Sequence, residues 1–195
     1  MSENTNQSGA KAHIMYLHGL EGSPQGTKGR WMQTYFSAVA PEMPASRDNF
    51  EHSFAESYKV AKAAVQTHQP DVIVGSSFGG GILMKLLQSG DWSGNAVMLA
   101  PAGVMYGIGD NIPEGSHVII IHSPADHLVS YADSELIVRN SGGRAELWAA
   151  ERLHLDCCDP ASADNACDGN HRLHAIIHDG MLARAVVAQL TRQRR

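Results

Sequence analysis

The chain has 195 residues, 15 Lys and Arg against 20 Asp and Glu, and a formal net charge of −5. This length fits one domain with a sizeable core, and the 43% hydrophobic and 18% charged residues exclude a disordered chain. Phosphate binding needs clustered positive charge and a membrane span needs ~20 apolar residues. The sequence has neither, so nucleic acid and membranes are not expected as partners.

Residues 1–12 are polar and are predicted to form a disordered leader ahead of a single domain at residues 13–195. The leader lacks the basic and apolar runs of a secretory signal. The three cysteines include the adjacent Cys157 and Cys158, which suits a reducing compartment better than a disulfide framework. We therefore expect a cytoplasmic protein, and the sequence gives no indication of its oligomeric state.

Apolar runs alternate with stretches of helical spacing along the chain. The predicted strands span residues 13–17, 71–75, 95–100, 117–122 and 145–150. Four predicted helices span residues 30–39, 53–68, 78–88 and 132–140, and a final helix spans residues from about 170 to 190. Ser53 is the expected N-cap of the second helix, and a very short strand is expected in the Pro-rich connection at residues 40–46. This alternation indicates a three-layer α/β fold with a mainly parallel sheet, whose functional loops leave the carboxyl ends of the strands.

Residues 75–79 (GSSFG) join the second predicted strand directly to a helix. A G-x-S-x-G pattern in this context is typical of a nucleophile elbow, in which a strained central residue projects its side chain above the sheet edge. Ser77 is therefore the predicted nucleophile. Ser76 is the alternative, although it lacks the two flanking glycines, and the segment could also be a turn that only caps the helix.

Two backbone N–H groups are predicted to bind the oxyanion of a tetrahedral intermediate. One belongs to Phe78, directly after the nucleophile, and the other to Leu20, in the loop after the first strand. Gly19 allows this loop to fold against the elbow. His18 is interpreted as a residue that fixes the loop through side-chain hydrogen bonds rather than as the catalytic base.

Asp126 follows the fourth predicted strand, where a serine hydrolase could place the carboxylate that orients its catalytic histidine. It is the predicted acid. The competing carboxylates are Asp110, which comes early for the order Ser, Asp, His, together with Asp133, which begins a helix, and Glu151.

The base is expected after the last strand and before or at the last helix. His171 lies just before the predicted final helix and is the predicted base. His154, early in the irregular segment after the last strand, is the alternative. His174 and His178 are four residues apart on that helix and are expected to pack or to face solvent.

The segment after the last strand is rich in metal-ligand residue types, but it lacks the paired CxxC or HxxxH spacing of structural zinc sites. We expect no metal and no cofactor, and the cysteines are interpreted as ordinary thiols that oxidants could modify. The residues in question are His154, Asp156, Cys157, Cys158, Asp159, Cys167 and His171.

With HGLEGSP…KG, GSSFGG, HSPADHLVSYADS and GNHRL in place, the sequence resembles the α/β-hydrolase superfamily, and in particular the small esterases of the YqiA/YcfP-like branch. The resemblance covers residues 13–190. It implies an α/β-hydrolase fold with a minimal cap or none, and an esterase-type activity on acyl esters or thioesters. It also maps the acid onto Asp126 and the base onto His171. The link between the last strand and the histidine is longer than is usual in this branch.

Together, these expectations predict a carboxylesterase-type serine hydrolase that cleaves small acyl esters through an acyl-enzyme intermediate. The alternatives are a thioesterase or other acyl hydrolase, and a non-catalytic hydrolase-fold binding protein. Since only residues 101–115 and 151–170 could cover the site, we expect an open cleft that prefers short acyl chains. The residues predicted to contact the substrate are Gly19, Met105 and Tyr106, with Leu20 and Phe78 completing an apolar wall.

Overall fold

The structure is a computed structural model that describes residues 12–20, 22–151 and 171–193. Its strands are β1 (Ile14–Leu17), β2 (Val72–Ser76), β3 (Asn95–Leu99), β4 (His117–His122) and β5 (Ala145–Ala149). Its helices are α1 (Thr27–Phe36), α2 (Phe50–His68), α3 (Phe78–Gln88), α4 (Tyr131–Asn140), α5 (Ala175–His178) and α6 (Met181–Gln193). No helix in the described ranges is long and apolar enough to cross a bilayer.

The five strands form one parallel sheet in the order β1-β2-β3-β4-β5. An isolated parallel bridge between Met15 and Val39 extends the sheet beyond β1, so the very short strand expected in the connection lies just before it. Because all strands run the same way, their carboxyl ends meet at one edge. The loops that follow β1, β2 and β4 therefore converge there.

The sheet is buried on both faces, which explains why its strands are almost wholly apolar. Met15 and Leu17 point to the layer that contains α2, α3 and α4, whereas Ile14 and Tyr16 point to the layer with α1, α5 and α6. The predicted three-layer α/β fold with a mainly parallel sheet is confirmed.

The start of α2 differs from the prediction. The helix begins at Phe50, and its N-cap is Asn49 rather than Ser53. The Ser53 hydroxyl instead donates a hydrogen bond to the Pro44 carbonyl and accepts one from the Ser46 N–H at 2.8 Å. Ser53 therefore ties the first turn of α2 to the preceding connection, a contact that helix-capping rules do not anticipate.

Two other helix predictions need correction. The first helix begins at Thr27, three residues earlier than predicted, and ends at Phe36, because Ser37 adopts a left-handed conformation with φ 51°. The expected final helix is divided into α5 and α6 by Asp179 and Gly180, and Gly180 has φ +74°. A positive φ interrupts the helical hydrogen-bond series, so a single continuous helix cannot form there.

Candidate active site

Ser77 forms the turn between β2 and α3, with φ 52° and ψ −110°. Only glycine adopts such a conformation without strain. The Ser77 N–H donates to the Leu99 carbonyl at 2.8 Å, and the Ser77 carbonyl accepts from the N–H groups of Gly81 at 3.0 Å and Ala102 at 3.2 Å. Bonds to β3, to α3 and to the segment after β3 thus hold the strained residue in place.

The glycines around Ser77 allow close backbone approach. A Cβ atom on Gly79 would lie 2.3 Å from the Leu17 carbonyl oxygen, and one on Gly75 would lie 2.6 Å from the Gly79 carbonyl oxygen. A Cβ on Gly19 would lie 3.6 Å from the Ser77 Cβ. The loop after β1 therefore lies against the elbow, as the sequence predicts, and backbone atoms surround the elbow on both sides.

Ser77, His171 and Asp126 are brought together at the carboxyl-terminal edge of the sheet. The His171 Nε2 atom lies 2.9 Å from the Ser77 Oγ, and its Nδ1 atom lies 2.7 Å from the Asp126 Oδ2. These residues follow β2, precede α5 and follow β4, respectively. The arrangement is that of a nucleophile, a base that reaches its proton, and a carboxylate that orients the base.

The described residues that were alternatives for the acid and the base lie on other elements or make other contacts. Asp110 accepts a hydrogen bond from the Asn140 side chain at 2.9 Å, Asp133 lies in the first turn of α4, and Glu151 is exposed. His174 is the N-cap of α5, and His178 is the exposed last residue of that helix. His154 lies outside the described residues, as do the three cysteines.

The Asp126 carboxylate is fully buried and accepts four hydrogen bonds. Its Oδ2 faces His171 and also the Nε2 of His122 at 3.0 Å, while its Oδ1 accepts from the N–H groups of Leu128 at 2.8 Å and Val129 at 3.0 Å. Burial raises the pKa of the Asp126 carboxyl. The hydrogen bonds from both histidines and from Val129 outweigh that effect, so the pKa lies well below its ordinary value. Asp126 is therefore ionised.

Sequence reasoning missed His122, although a signal was present. His122 is the last residue of β4 and precedes Asp126 by four residues, within the segment HSPADHLVSYADS. A polar side chain at the carboxyl end of a buried parallel strand points to the edge where the site forms. His122 therefore belongs with the site residues as a partner of the acid.

The two predicted oxyanion donors lie beside the elbow. Phe78 is the first residue of α3, where a backbone N–H has no acceptor within its own helix and the helix dipole favours negative charge. Leu20 follows Gly19 in the loop that contacts Ser77. In that loop the His18 Nδ1 donates to the Gly19 carbonyl at 2.9 Å, and its Nε2 accepts from the Met43 N–H at 3.1 Å. His18 thus fixes the loop, as predicted.

One member of the predicted substrate wall is wrong. The Phe78 side chain is fully buried and packs edge-on against Phe50, Phe54 and Tyr106, so it belongs to the core rather than to a pocket surface. Its position follows from the elbow, which exposes the preceding residue and turns the first helical side chain inward. Tyr106 is partly buried over this cluster, and Met105 beside it is 59% exposed.

No cluster of three or more His, Cys, Asp or Glu side chains within the described ranges is arranged to hold a metal ion. The cysteine-containing segment with metal-ligand residue types lies in residues 152–170, outside those ranges.

Comparisons with known proteins show which fold this chain shares. A Xanthomonas campestris pv. campestris protein assigned to the α/β hydrolase superfamily superposes with a TM-score of 0.63 at 17% identity, covering 92% of this chain and 98% of its own. Residues 13–107 match the model of an uncharacterised protein family, UPF0227. The chain has the fold of the α/β hydrolases. The predicted resemblance to the YqiA/YcfP-like branch is confirmed over residues 13–107.

Other α/β-hydrolase structures agree with this assignment. Mouse alpha/beta hydrolase domain-containing protein 10 superposes with a TM-score of 0.62 at 11% identity, covering 88% of this chain and 90% of its own. An alpha-beta serine hydrolase homologue from Coxiella burnetii gives a TM-score of 0.55 at 14% identity, over 71% of this chain and 74% of its own. No curated protein matches this α/β-hydrolase chain in sequence.

Proposed function

We propose that this α/β hydrolase is a serine hydrolase of the carboxylesterase type that cleaves small acyl esters. Its main support is the continuous hydrogen-bonded series from Ser77 through His171 to Asp126, with heavy-atom distances of 2.9 and 2.7 Å. The series lies at the carboxyl-terminal edge of a parallel sheet, which is where open α/β folds bind ligands. It requires no cofactor and no metal.

In the proposed reaction, the Ser77 Oγ attacks the ester carbonyl carbon while His171 Nε2 accepts the hydroxyl proton. The tetrahedral intermediate collapses when the same nitrogen returns this proton to the leaving alkoxide oxygen, which releases an alcohol and leaves Ser77 acylated. A water molecule then attacks the acyl group with His171 again as base, and a carboxylic acid and free Ser77 are formed. Asp126 stabilises the imidazolium in both halves of the reaction.

The negative charge of each tetrahedral intermediate is proposed to be stabilised by the N–H groups of Phe78 and Leu20. The position of Phe78 at the start of α3 supports this role, because its N–H is directed away from its own helix. Each donor of this kind is worth about 3–4 kcal/mol in other hydrolases. The contact between the Gly19 loop and the elbow supports the pairing of these two donors.

Exposed apolar side chains near the site support a substrate with an apolar acyl group. Met105 and Leu128 are 59% and 53% exposed, and they lie in the two segments that contact the elbow and the acid. Leu128 donates its backbone N–H to Asp126, so this residue lies in the loop beside the acid. We propose that Gly19, Met105 and Tyr106 contact the substrate in an open cleft. A cytoplasmic location is proposed from the cysteine content alone.

A fluorophosphonate probe tests the nucleophile and the activity together. We expect labelling of the wild-type protein at Ser77, identified by peptide mapping, and no labelling of Ser77→Ala. Ser76→Ala is the matched control and should label normally. Absence of labelling in folded wild-type protein would favour a non-catalytic hydrolase-fold protein, and labelling at Ser76 would move the nucleophile by one position.

The substrate class is tested with p-nitrophenyl esters of increasing acyl length and with the corresponding acyl thioesters. We expect turnover to be highest for short acyl esters. A maximum at long chains would contradict the open cleft, and faster turnover of thioesters than of esters would identify a thioesterase instead.

A further inference from the structure

The acid of the proposed triad has a second histidine partner. His122 is completely buried at the end of β4, and its Nε2 lies 3.0 Å from the Asp126 Oδ2. Its other ring nitrogen, Nδ1, lies 2.7 Å from the hydroxyl of Ser134, a fully buried residue of α4. A single carboxylate oxygen therefore lies between two imidazole rings, one of which faces Ser77 and the other the core.

The chemistry of these groups fixes the direction of each hydrogen bond. An ionised carboxylate can only accept, so the proton of the His122 ring must lie on Nε2 and point to Asp126. The Nδ1 lone pair is then an acceptor, and the Ser134 hydroxyl donates to it. The Asp126 carboxylate thus selects the tautomer of His122, and the Ser134 hydroxyl holds the ring through its other nitrogen.

We propose that His122 is a positioning residue for the reaction, holding the Asp126 Oδ2 through Nε2–H while its Nδ1 accepts a hydrogen bond from the Ser134 hydroxyl. This inference rests on the proposed function of Ser77 and His171. It assigns a role to both ends of the segment from His122 to Ser134, because Ser134 bonds His122 and His122 bonds the acid.

The role has a specific electrostatic consequence. The His122 donor withdraws negative charge from Oδ2 and so limits how tightly Asp126 holds the proton that His171 takes from Ser77. Without this donor, the N–H groups of Leu128 and Val129 still hold Oδ1. The carboxylate stays bonded to His171 but its Oδ2 is oriented less precisely, so kcat falls. The imidazolium of His171 is bound more firmly, and the acidic limb of the pH–rate profile moves to higher pH.

A purely structural role predicts the opposite shift. If His122 only filled space, its loss would let Asp126 move away from His171, the imidazolium would lose its partner, and the acidic limb would move to lower pH. The direction of the shift therefore separates positioning through a hydrogen bond from simple packing.

Besides His171 and Asp126, the titratable side chain that packs against His122 in the described residues does not change charge over the pH range of this profile. Tyr131 of α4 has its ring centre 5.5 Å from that of His122. Burial raises the pKa of Tyr131, and the neighbouring Glu135 and Glu151 raise it further. Tyr131 thus stays uncharged throughout a profile recorded between about pH 5.5 and 9.

The kinetic experiment compares three variants with the wild-type protein, using a short p-nitrophenyl ester. For His122→Leu we expect kcat to fall about tenfold, as for loss of a hydrogen bond to a charged group, with KM changed little and the acidic limb shifted to higher pH. His122→Gln supplies an amide donor and should restore most of both properties. His127→Gln, at the exposed neighbour of Asp126, is the control and should match wild type.

Three kinetic results would overturn the proposal. They are an acidic limb of His122→Leu at or below that of wild type, an unchanged kcat in folded His122→Leu, and a His122→Gln protein as impaired as His122→Leu. If His122→Leu does not fold, Ser134→Ala replaces it, with a smaller loss of kcat and a limb shift in the same direction.

A second measurement does not depend on catalysis. Long-range ¹⁵N–¹H spectra of histidine-labelled wild-type protein at about pH 8 should show the His122 proton on Nε2. A proton on Nδ1 would overturn the proposal even if esters are hydrolysed. Conversely, an Nε2 proton in a protein without esterase activity would support the hydrogen bond while refuting the proposed function, and with it the role of His122 in catalysis.

Discussion

Replacing Ser77 by glycine should stabilise the protein relative to alanine, although both changes remove the proposed nucleophile. Ser77 has φ 52° and ψ −110°, a region that residues with a Cβ atom reach only at a cost of about 1–3 kcal/mol. Glycine adopts the mirror image of the ordinary extended conformation freely. Both variants lose the hydrogen bond to His171 equally, so the difference between them measures backbone strain.

The magnitude follows from two opposing effects. Relief of strain contributes about 1–3 kcal/mol, and the greater flexibility of glycine in the unfolded chain offsets about 0.5–1 kcal/mol of it. Ser77→Gly should therefore exceed Ser77→Ala in free energy of unfolding by about 1 kcal/mol, which corresponds to a Tm difference of ~3 °C for a chain of this size.

Urea unfolding at pH 7 and differential scanning calorimetry measure this difference. Ser89 provides the matched control, because it has an ordinary φ of −85° and ψ of −7°. There the order should reverse, with Ser89→Gly less stable than Ser89→Ala by about 0.5–1 kcal/mol. Equal stability of the two Ser77 variants, or greater stability of the alanine variant, would refute the strain argument.

Three further predictions concern the surroundings of the site and the sheet. Gly79→Ala places a Cβ 2.3 Å from the Leu17 carbonyl oxygen. The free energy of unfolding, measured by urea denaturation, should therefore fall by ~3 kcal/mol. A fall of less than ~1 kcal/mol would contradict the close approach. The Lys28 side chain donates to the Arg172 carbonyl at 2.6 Å. Lys28→Met should loosen the loop that carries the proposed base and so lower kcat/KM for a short ester about fivefold. Wild-type kinetics in this variant would contradict the prediction. Burial lowers the pKa of His117 below its ordinary 6.5. The unfolded chain therefore binds this proton more readily, so stability should decline as pH falls through about 6.5. His117→Gln should flatten that decline in urea titrations at several pH values, and an identical pH dependence would refute it.

The sheet and the elbow could be predicted because their signals are local. Buried parallel strands need continuous apolar runs, and a strained serine between a strand and a helix needs glycines at fixed spacing. Both are visible in residues 71–79. Asp126 and His171 could be placed by their order along the chain relative to the strands, and the structure brings both within hydrogen-bond distance of their expected neighbours.

The features that escaped prediction depend on contacts between distant residues. Ser53 has the spacing of a capping residue, but its hydroxyl bonds the Pro44 carbonyl, so α2 begins earlier. The inward direction of Phe78 depends on aromatic residues of α2 that come together only in the folded chain. The link between His122 and Ser134 joins a strand end to a helix twelve positions later. Spacing rules describe one element at a time and do not report such pairs.

The strands lie across the sheet in the same order in which they are synthesised. Each strand leaving the ribosome can therefore add to the edge of those already paired, without inserting between them. One face of β2, β3 and β4 nevertheless stays uncovered until α6 has been synthesised, and His171 is translated just before that helix. Until then the growing polypeptide exposes a broad apolar surface, and the proposed esterase activity would appear only after translation has passed this point.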